Sequence, residues 1–400
     1  MSPAEARPRA TPAGEAVVAG VRISHADRVV YPDQGVTKGA LARYYASIAD
    51  RILPELTERP AVLVRCPGGL GRECFYQKHA GPWAPPCLRR IRIREKTKSE
   101  DYLVVDDVAG LVGLVQMGVL EIHTWNADAR RLETPDRLVL DLDPGPGVSW
   151  PAVIIAARLV RASFEAAGLT SFVKTTGGKG LHVVAPIRPE HGWDECLDFA
   201  GRLAEALVAE TPRAFTATMA KAARKDKIFL DYFRNQRGAT SVAAYSTRAR
   251  PGAPVSTPVA WDELDSIPGP DHFTIANVPR RLARLGADPW AGYAALTQTL
   301  PTSRSRDAGG VQAGALQPRT VTRLTRIAPW AAPRGPGGEE DPMARYGRTA
   351  QKTVKSAMRR RKKGTLRSGS GKRVTSRKQA IAIGLAEARK KGGKVPKRKR

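Results

Sequence analysis

Two carboxylates stand two residues apart in the stretch DRLVLDLDPGPG, at Asp141 and Asp143. The stretch reads as a strand, and on a strand residues i and i+2 point to one face. Carboxylates that close repel and raise each other's pKa unless something positive lies between them. A hard divalent cation held by oxygen ligands removes that repulsion. A third acid, Asp231, closes the apolar run KIFLD. Three carboxylates on neighbouring strands suit a two-metal site of the kind polymerases use. The plainer alternative is a D-x-D pair that merely opens a turn.

A second set of residues suits phosphate. In KTTGGKGLHVVAP, Gly177, Gly178 and Gly180 let the backbone approach a ligand closely. Thr176 adds a hydroxyl, Lys179 a charge, and His182 a donor on the strand that follows. A plain hairpin turn needs neither that lysine nor an inward histidine. The turn leads into a strand rather than a helix, so it is not the Walker pattern. Arg234 and Arg248 suit bidentate phosphate contacts, with solvated arginine as the bland reading. Phe75 and Tyr76 are adjacent, so on a strand one ring must leave the core, which suits base stacking. His123 in VLEIHTW reads first as a satisfied core histidine. Cys66, Cys74, His79 and Cys87 match no common zinc spacing, and four cysteines do not suggest a disulfide framework.

The elements that must position these residues mix strands and helices without strict alternation, which predicts an α+β fold rather than a doubly wound sheet. Strands are expected at 17–24, in RPAVLVRC, LRRIRIRE, DYLVVDD, VLEIHTW and RLVLDLD, on both sides of the Gly-rich turn, and in KIFLDYF and SVAAYST. Ile91 and Ile93 should face in, with Arg90, Arg92 and Arg94 out. Helices are expected over 35–56 with Thr37 as cap, over DVAGLVGLVQMG with Gly118 as stop, over 151–167 and over 193–209.

The chain has 400 residues and a net charge of +28. Residues 345–400 hold 22 Lys and Arg against one acid, Glu387, whereas the other 344 residues hold 44 basic and 37 acidic. A mildly basic body with a strongly basic tail points to a polyanion, foremost nucleic acid. No apolar run is long enough for a membrane span, and residues 1–16 lack the apolar segment of a secretory signal, so a cytoplasmic, nucleoid-associated location is expected. Residues 1–16 are expected to be disordered, 17–300 to form the catalytic body, 301–342 a Pro/Gly-rich linker, and 343–400 a basic helical tail. In the tail, Thr349 is placed to cap a helix over 350–363. Ser376 and Gln379 form a capping box for 377–391, with Ile381, Leu385 and Ala388 apolar. Two short helices bury little, so ordering through a partner is expected.

The motifs RVVYPDQGVTKGALARYY, RPAVLVRCPGG, ECFYQKHA, EIHTW, LVLDLDPGPGVSW, KTTGGKGLHVVAPI and IFLDYFRN…AYSTRARP occur in this order over residues 17–300. This body resembles the polymerase domain of bacterial ligase D, of the archaeo-eukaryotic primase superfamily, which acts in non-homologous end joining. The resemblance implies a primase-like core with mixed and antiparallel sheets flanked by helices. It implies that Asp141, Asp143 and Asp231 bind two Mn2+ or Mg2+ ions and that His123 is an active-site histidine. It assigns Thr176, Lys179, His182, Arg234 and Arg248 to the triphosphate, and Phe75 and Tyr76 to the incoming base. Arg28 and Lys38, with His25 beside them, match the group that holds the 5′-phosphate of a gap or break. The implied activity is manganese-favoured extension of 3′ ends at gaps and double-strand breaks, with ribonucleotides preferred.

The implied partners are such DNA, nucleoside triphosphates and a Ku-type end-binding protein. No K-x-D-G ligase motif is present, so ligation is expected from a separate protein. The tail resembles a short basic domain that occurs alone in bacteria. A non-catalytic DNA-end-binding factor is the competing reading, which the three aspartates oppose. A D-x-D glycosyltransferase would leave Asp231 and the tail without a role.

Overall fold

The alternating and apolar runs of the first half of the chain become short strands around one buried helix pair. The computed structural model describes residues 14–301 and, further on, 353, 356–361, 364–368, 371 and 373–390. The chain divides into two compact units between Ala332 and Pro333. In the first unit, β1 (Glu15–Val18) and β2 (Val21–Ser24) form a hairpin, where a single strand over 17–24 was expected. Ala19 and Gly20, both at positive φ, make its turn. This hairpin starts inside the segment 1–16 expected to be disordered, because Glu15 pairs with Ser24. After β3 (Val29–Tyr31) and β4 (Val36–Thr37) comes α1 (Lys38–Ser47), capped as expected by the Thr37 hydroxyl, which accepts from Ala40 N at 3.1 Å. The helix expected over 35–56 breaks at Ile48, whose backbone leaves the helical region, and resumes as α2 (Ala49–Leu56).

One sheet has the order β15-β9-β5-β8-β7, with β6 also paired to β5. Its strands are β5 (Ala61–Arg65), β6 (Phe75–Gln77), β7 (Arg89–Arg94), β8 (Ser99–Val104), β9 (Val119–Thr124) and β15 (Ser241–Val242). Arg90, Arg92 and Arg94 face outward along β7 and Ile93 is buried, as the alternation requires. Only two residues of SVAAYST pair as a strand, because Tyr245 takes a positive φ and turns the chain. Between β8 and β9, α3 (Val108–Gln116) is capped by Asp107 and stops before Gly118, at φ 79°.

The other sheet has the order β13-β14-β10-β12-β11-β16, antiparallel except for β13–β14. Its centre is β10 (Arg137–Pro144), flanked by β12 (Leu181–Pro186) and β14 (Ile228–Asp231). The rest are β11 (Phe172–Thr175), β13 (Phe215–Thr216) and β16 (Pro258–Val259). Two long helices, α4 (Trp150–Ala166) and α5 (Trp193–Glu210), pack together and against this sheet, burying Val153, Leu159, Val160 and Phe164 of α4 and Phe199 and Leu207 of α5. A short helix, α6 (Val278–Leu282), follows. The result is α+β, as the sequence predicts.

In the second unit, residues 356–361 are helical and α7 spans Arg377–Lys390. Ala357, Leu366, Val374 and Ala380 form a small buried core. The buried positions of α7 include Ala380 and Ala388, while Ile381 and Leu385 are only half-buried, so the packed stripe is rotated from the one expected. Ser376 Oγ accepts from Gln379 N at 3.5 Å. The linker expected at 301–342, apart from Pro301, lies outside the described residues, as does the cap expected at Thr349.

Candidate active site

The register of the central sheet brings the acids together. Asp141 lies opposite His182 on β12 and opposite Asp231 on β14, so residues 41 and 90 positions downstream share its face. Asp143 follows two residues on, near the end of the same strand. The positive charge among these carboxylates is arginine. Arg234, on the 3-10 turn that follows Asp231, reaches Asp141 Oδ2 at 3.0 Å and Asp231 Oδ2 at 3.1 Å. Arg224 Nη1 donates to Asp143 Oδ2 at 2.8 Å and stacks its guanidinium over Phe229. Arg234, which the resemblance assigns to the triphosphate, bridges two of the acids here, because β14 delivers it three residues past Asp231.

Burial opposes charge on Asp141, but His182 and Arg234 hold it well below the usual carboxylate range. Burial and the neighbouring Asp141 push Asp143 up, and burial likewise raises Asp231. His182, 3.5 Å from Asp141, is held down to about 4 by burial and by Lys174, and its buried Nδ1 has no hydrogen-bond partner. Lys174 sits opposite His182 on β11 with its Nζ donating to Val242 O and Ser256 Oγ, and burial pushes it down to about 7.

A cleft of about 250 Å³ opens over Asp141 and Asp143, walled by both sheets. His123, on β9 of the other sheet, lines it and pairs with Glu121 Oε2 at 2.9 Å. Glu121 is buried and its second oxygen accepts from Ala249 N at 2.8 Å and lies 3.2 Å from Arg248 Nε. Although burial works against it, the His123 and Arg248 partners hold Glu121 down at about 2. Burial lowers His123 against the pull of Glu121. The loop carrying Arg248 is fixed by three buried tyrosines: Tyr31, Tyr44 and Tyr45 bond to Arg248 O, Tyr245 O and Thr247 Oγ1.

The Gly-rich turn enters the cleft from β11. Thr176 Oγ1 donates to Gly180 O at 3.0 Å and accepts from Gly178 N at 3.2 Å, so its hydroxyl staples the turn. Gly180 has no room for a side chain: a Cβ there would lie 1.8 Å from Leu142 O. Lys179 is exposed where it lines the cleft, and Arg250 lines its wall elsewhere. Tyr76 also reaches this cleft, 6.2 Å from the His123 ring. Both aromatic rings of β6 lie outside the core, Phe75 42% and Tyr76 72% exposed.

A second pocket, of about 350 Å³, gathers His25, Arg28 and Lys38, and adds Arg65, Trp83 and Gln116. Lys38 Nζ donates to Ser24 O at 3.0 Å and to Gln116 Oε1 at 2.7 Å; burial and Arg28 push it down to about 8. Arg28 Nη1 donates to Pro67 O. Arg65 lies over both the Trp83 and Phe75 rings, at 4.1 and 5.4 Å. No carboxylate lines this pocket among the described residues.

The cysteine reading needs a correction. Cys66 and Cys74 form a disulfide. Arg65 pairs with Phe75 across the β5–β6 hairpin, so the next residues outward face each other with their Cα atoms 4.3 Å apart. Cys87 and Cys196 are free thiols.

Of the residues singled out from the sequence, the structure gathers Tyr76, His123, Asp141, Asp143, Thr176, Lys179, His182, Arg234 and Arg248 in the cleft and His25, Arg28 and Lys38 in the second pocket, while Phe75 and Asp231 line neither. Arg224, Glu121, Lys174, Arg65 and Trp83 were not singled out. Glu121 carried a signal of the same kind as Asp141, an acid inside an apolar strand.

The arrangement is that of a primase-polymerase core, and the comparisons agree. Residues 37–290 match the family described as LigD, primase-polymerase domain. The multifunctional non-homologous end joining protein LigD of Pseudomonas aeruginosa is 44% identical over 305 residues, 76% of this chain and 36% of that protein. The LigD protein of Mycobacterium tuberculosis is 34% identical over 281 residues, 68% of this chain and 37% of its own. The structure of the polymerase domain of Mycobacterium tuberculosis ligase D in complex with DNA aligns with a TM-score of 0.64 at 32% identity, covering 69% of this chain and 99% of that one. The chain belongs to the LigD primase-polymerase family. It spans little more than a third of the length of these curated relatives. Residues 345–399 match a second family, one of unknown function, DUF6496.

Proposed function

We propose that this protein extends DNA 3′ ends at gaps and double-strand breaks by nucleotidyl transfer. The observation that carries the reading is that Asp141 and Asp143 line a cleft with cationic walls while Asp231 lies opposite Asp141 on the neighbouring strand. Lys179, Arg248 and Arg250 line the space above the acids, where a triphosphate would lie. Tyr76 and Phe75 offer the exposed rings on which its base would stack.

The donor set fits Mn2+ or Mg2+. All three ligands are hard oxygen donors, and Asp143 and Asp231 carry pKa values raised by burial, which a dication would relieve. Among the described residues no three acidic, histidine or cysteine side chains stand arranged to hold a metal ion. Arg234 and Arg224 instead occupy the carboxylates, and each would turn from them toward phosphate oxygens. Bound ions at Asp141, Asp143 and Asp231 would acidify the primer hydroxyl and neutralise the departing pyrophosphate. His182 is neutral near pH 7 and keeps its ring against Asp141, orienting that carboxylate.

The second pocket takes the 5′-phosphate on the far side of a gap, through Lys38, Arg28 and His25. Ribonucleotides are the preferred substrate in this reading, with a Ku-type end-binding protein and a separate ligase as partners. The test is incubation with a primed, gapped duplex, Mn2+ and each nucleotide in turn. Extension that is faster with ribonucleotides and with a 5′-phosphate supports the reading; duplex binding with no extension would favour the end-binding factor instead.

A further inference from the structure

The basic tail has an unusual charge balance. Residues 345–400 hold 22 cations and one acid, Glu387. That acid is consumed internally: both its oxygens accept from Arg360 Nη2, at 2.5 and 2.7 Å, which ties the helical residues 356–361 to α7. The sequence supplies no second acid among residues 345–400.

Two of the cations are set against each other. Arg367 and Arg373 form an isolated antiparallel bridge, extended by Val374 N donating to Leu366 O at 2.9 Å. Like charges directly opposite on paired strands are destabilising. Leu366 and Val374, beside the two arginines, are buried in the small core, so the chain cannot slide out of this register without exposing them. The Arg373 guanidinium lies across Gly364, at φ 71°, where a Cβ would come within 2.5 Å of Nη2. Close by, Arg361 Nη1 donates to Thr375 O at 2.8 Å, while the buried Nε groups of Arg360 and Arg361 have no acceptor. The fold holds apposed positive charge at two exposed arginines. An anion seated between them removes the repulsion.

We propose that this module binds duplex DNA through its phosphates, with Arg367 and Arg373 as the seat of one or more backbone phosphates. The duplex is the favoured occupant because its charge is dense and continuous, as is that of the segment. Such contacts carry little base information, so binding is independent of sequence.

The test uses the full chain, a fluorescent blunt duplex of about 30 base pairs and no nucleotide, so its outcome is independent of polymerase activity. Each lost phosphate contact lowers the slope of log affinity against log salt by about 0.9. The double variant Arg367→Ser, Arg373→Ser is therefore expected to flatten that slope by about 1.8. The single variant Arg367→Glu turns the like-charge bridge into an ion pair. It is expected to weaken duplex binding while slowing hydrogen exchange at Val374 N–H. A slope unchanged in the double variant overturns the proposal. So does faster exchange at Val374 in Arg367→Glu, since the arginines would then be holding the fold rather than a phosphate. Polyglutamate binding as tight as duplex binding, and equally weakened by the double variant, would assign the pair to an acidic protein and also overturn it.

Discussion

Replacing Lys38 by methionine should reduce the preference for a 5′-phosphorylated gap by about tenfold. The Lys38 ammonium has three N–H donors. Ser24 O and Gln116 Oε1 take two of them, leaving one for a phosphate oxygen. One charge-assisted hydrogen bond contributes about 1.5–3 kcal/mol, and a single available donor places the effect near the lower end, about tenfold in affinity. Methionine keeps the apolar stem, and Gln116 remains bonded to Ser24 N and Ser24 Oγ, so the pocket stays assembled. The effect should also depend on pH. Burial and Arg28 hold Lys38 down at about 8, below an ordinary lysine. The preference should fall in the wild type as pH rises through this value, with the midpoint displaced upward by bound phosphate. It should stay flat in Lys38→Met. For stability the sign is opposite: a lysine depressed on folding disfavours the fold below its folded pKa, and that penalty fades as pH rises toward the unfolded value. The assay is extension, or competition binding, on two gapped duplexes differing only in the 5′-phosphate, at one salt concentration. A phosphate preference of equal size in wild type and Lys38→Met would remove the lysine from this role.

Removing Arg234 by alanine should leave Asp141 and Asp231 facing each other without a cation, lowering the melting temperature; millimolar Mn2+ should recover more of it than in the wild type, and an equal Mn2+ shift in both proteins would count against a metal at these acids. Glu121→Gln should strip the charge that holds His123 and Arg248, and breaking a buried ion pair costs about 3–5 kcal/mol; an unchanged denaturation midpoint would contradict its assigned place. Gly180→Ala should force β10 and β12 apart, because the new Cβ meets the Leu142 carbonyl, and overpacking of this kind costs about 1–3 kcal/mol or more; wild-type thermal stability in this variant would contradict the strand contact.

The acids were legible because a carboxylate inside an apolar strand is costly and so calls for a reason: LVLDLD and KIFLD each announce one. The antiparallel register then did what spacing alone cannot, placing Asp141 opposite Asp231. His25, Arg28 and Lys38 were readable only through the family resemblance, since three polar residues over a hairpin and a helix start carry no local pattern. Arg224 was not readable. It reaches Asp143 from a turn 81 residues away, and nothing in KAARKDK distinguishes it from its solvated neighbours. The Cys66–Cys74 pairing follows from hairpin register, which the intervening loop PGGLGRE hides. The break at Ile48 was hidden because both halves of that segment keep helical periodicity.

The most direct test of the account is nucleotide addition by Asp231→Asn beside the wild type, on a primed duplex with a phosphorylated gap in Mn2+, with duplex affinity measured on the same samples. Asn keeps the shape and the contact to Phe233 N while discarding the charge. The account predicts that addition is abolished and that affinity for the gapped duplex stays close to wild type. Addition at the wild-type rate by this variant would contradict the assignment of the three aspartates as the centre of the chemistry.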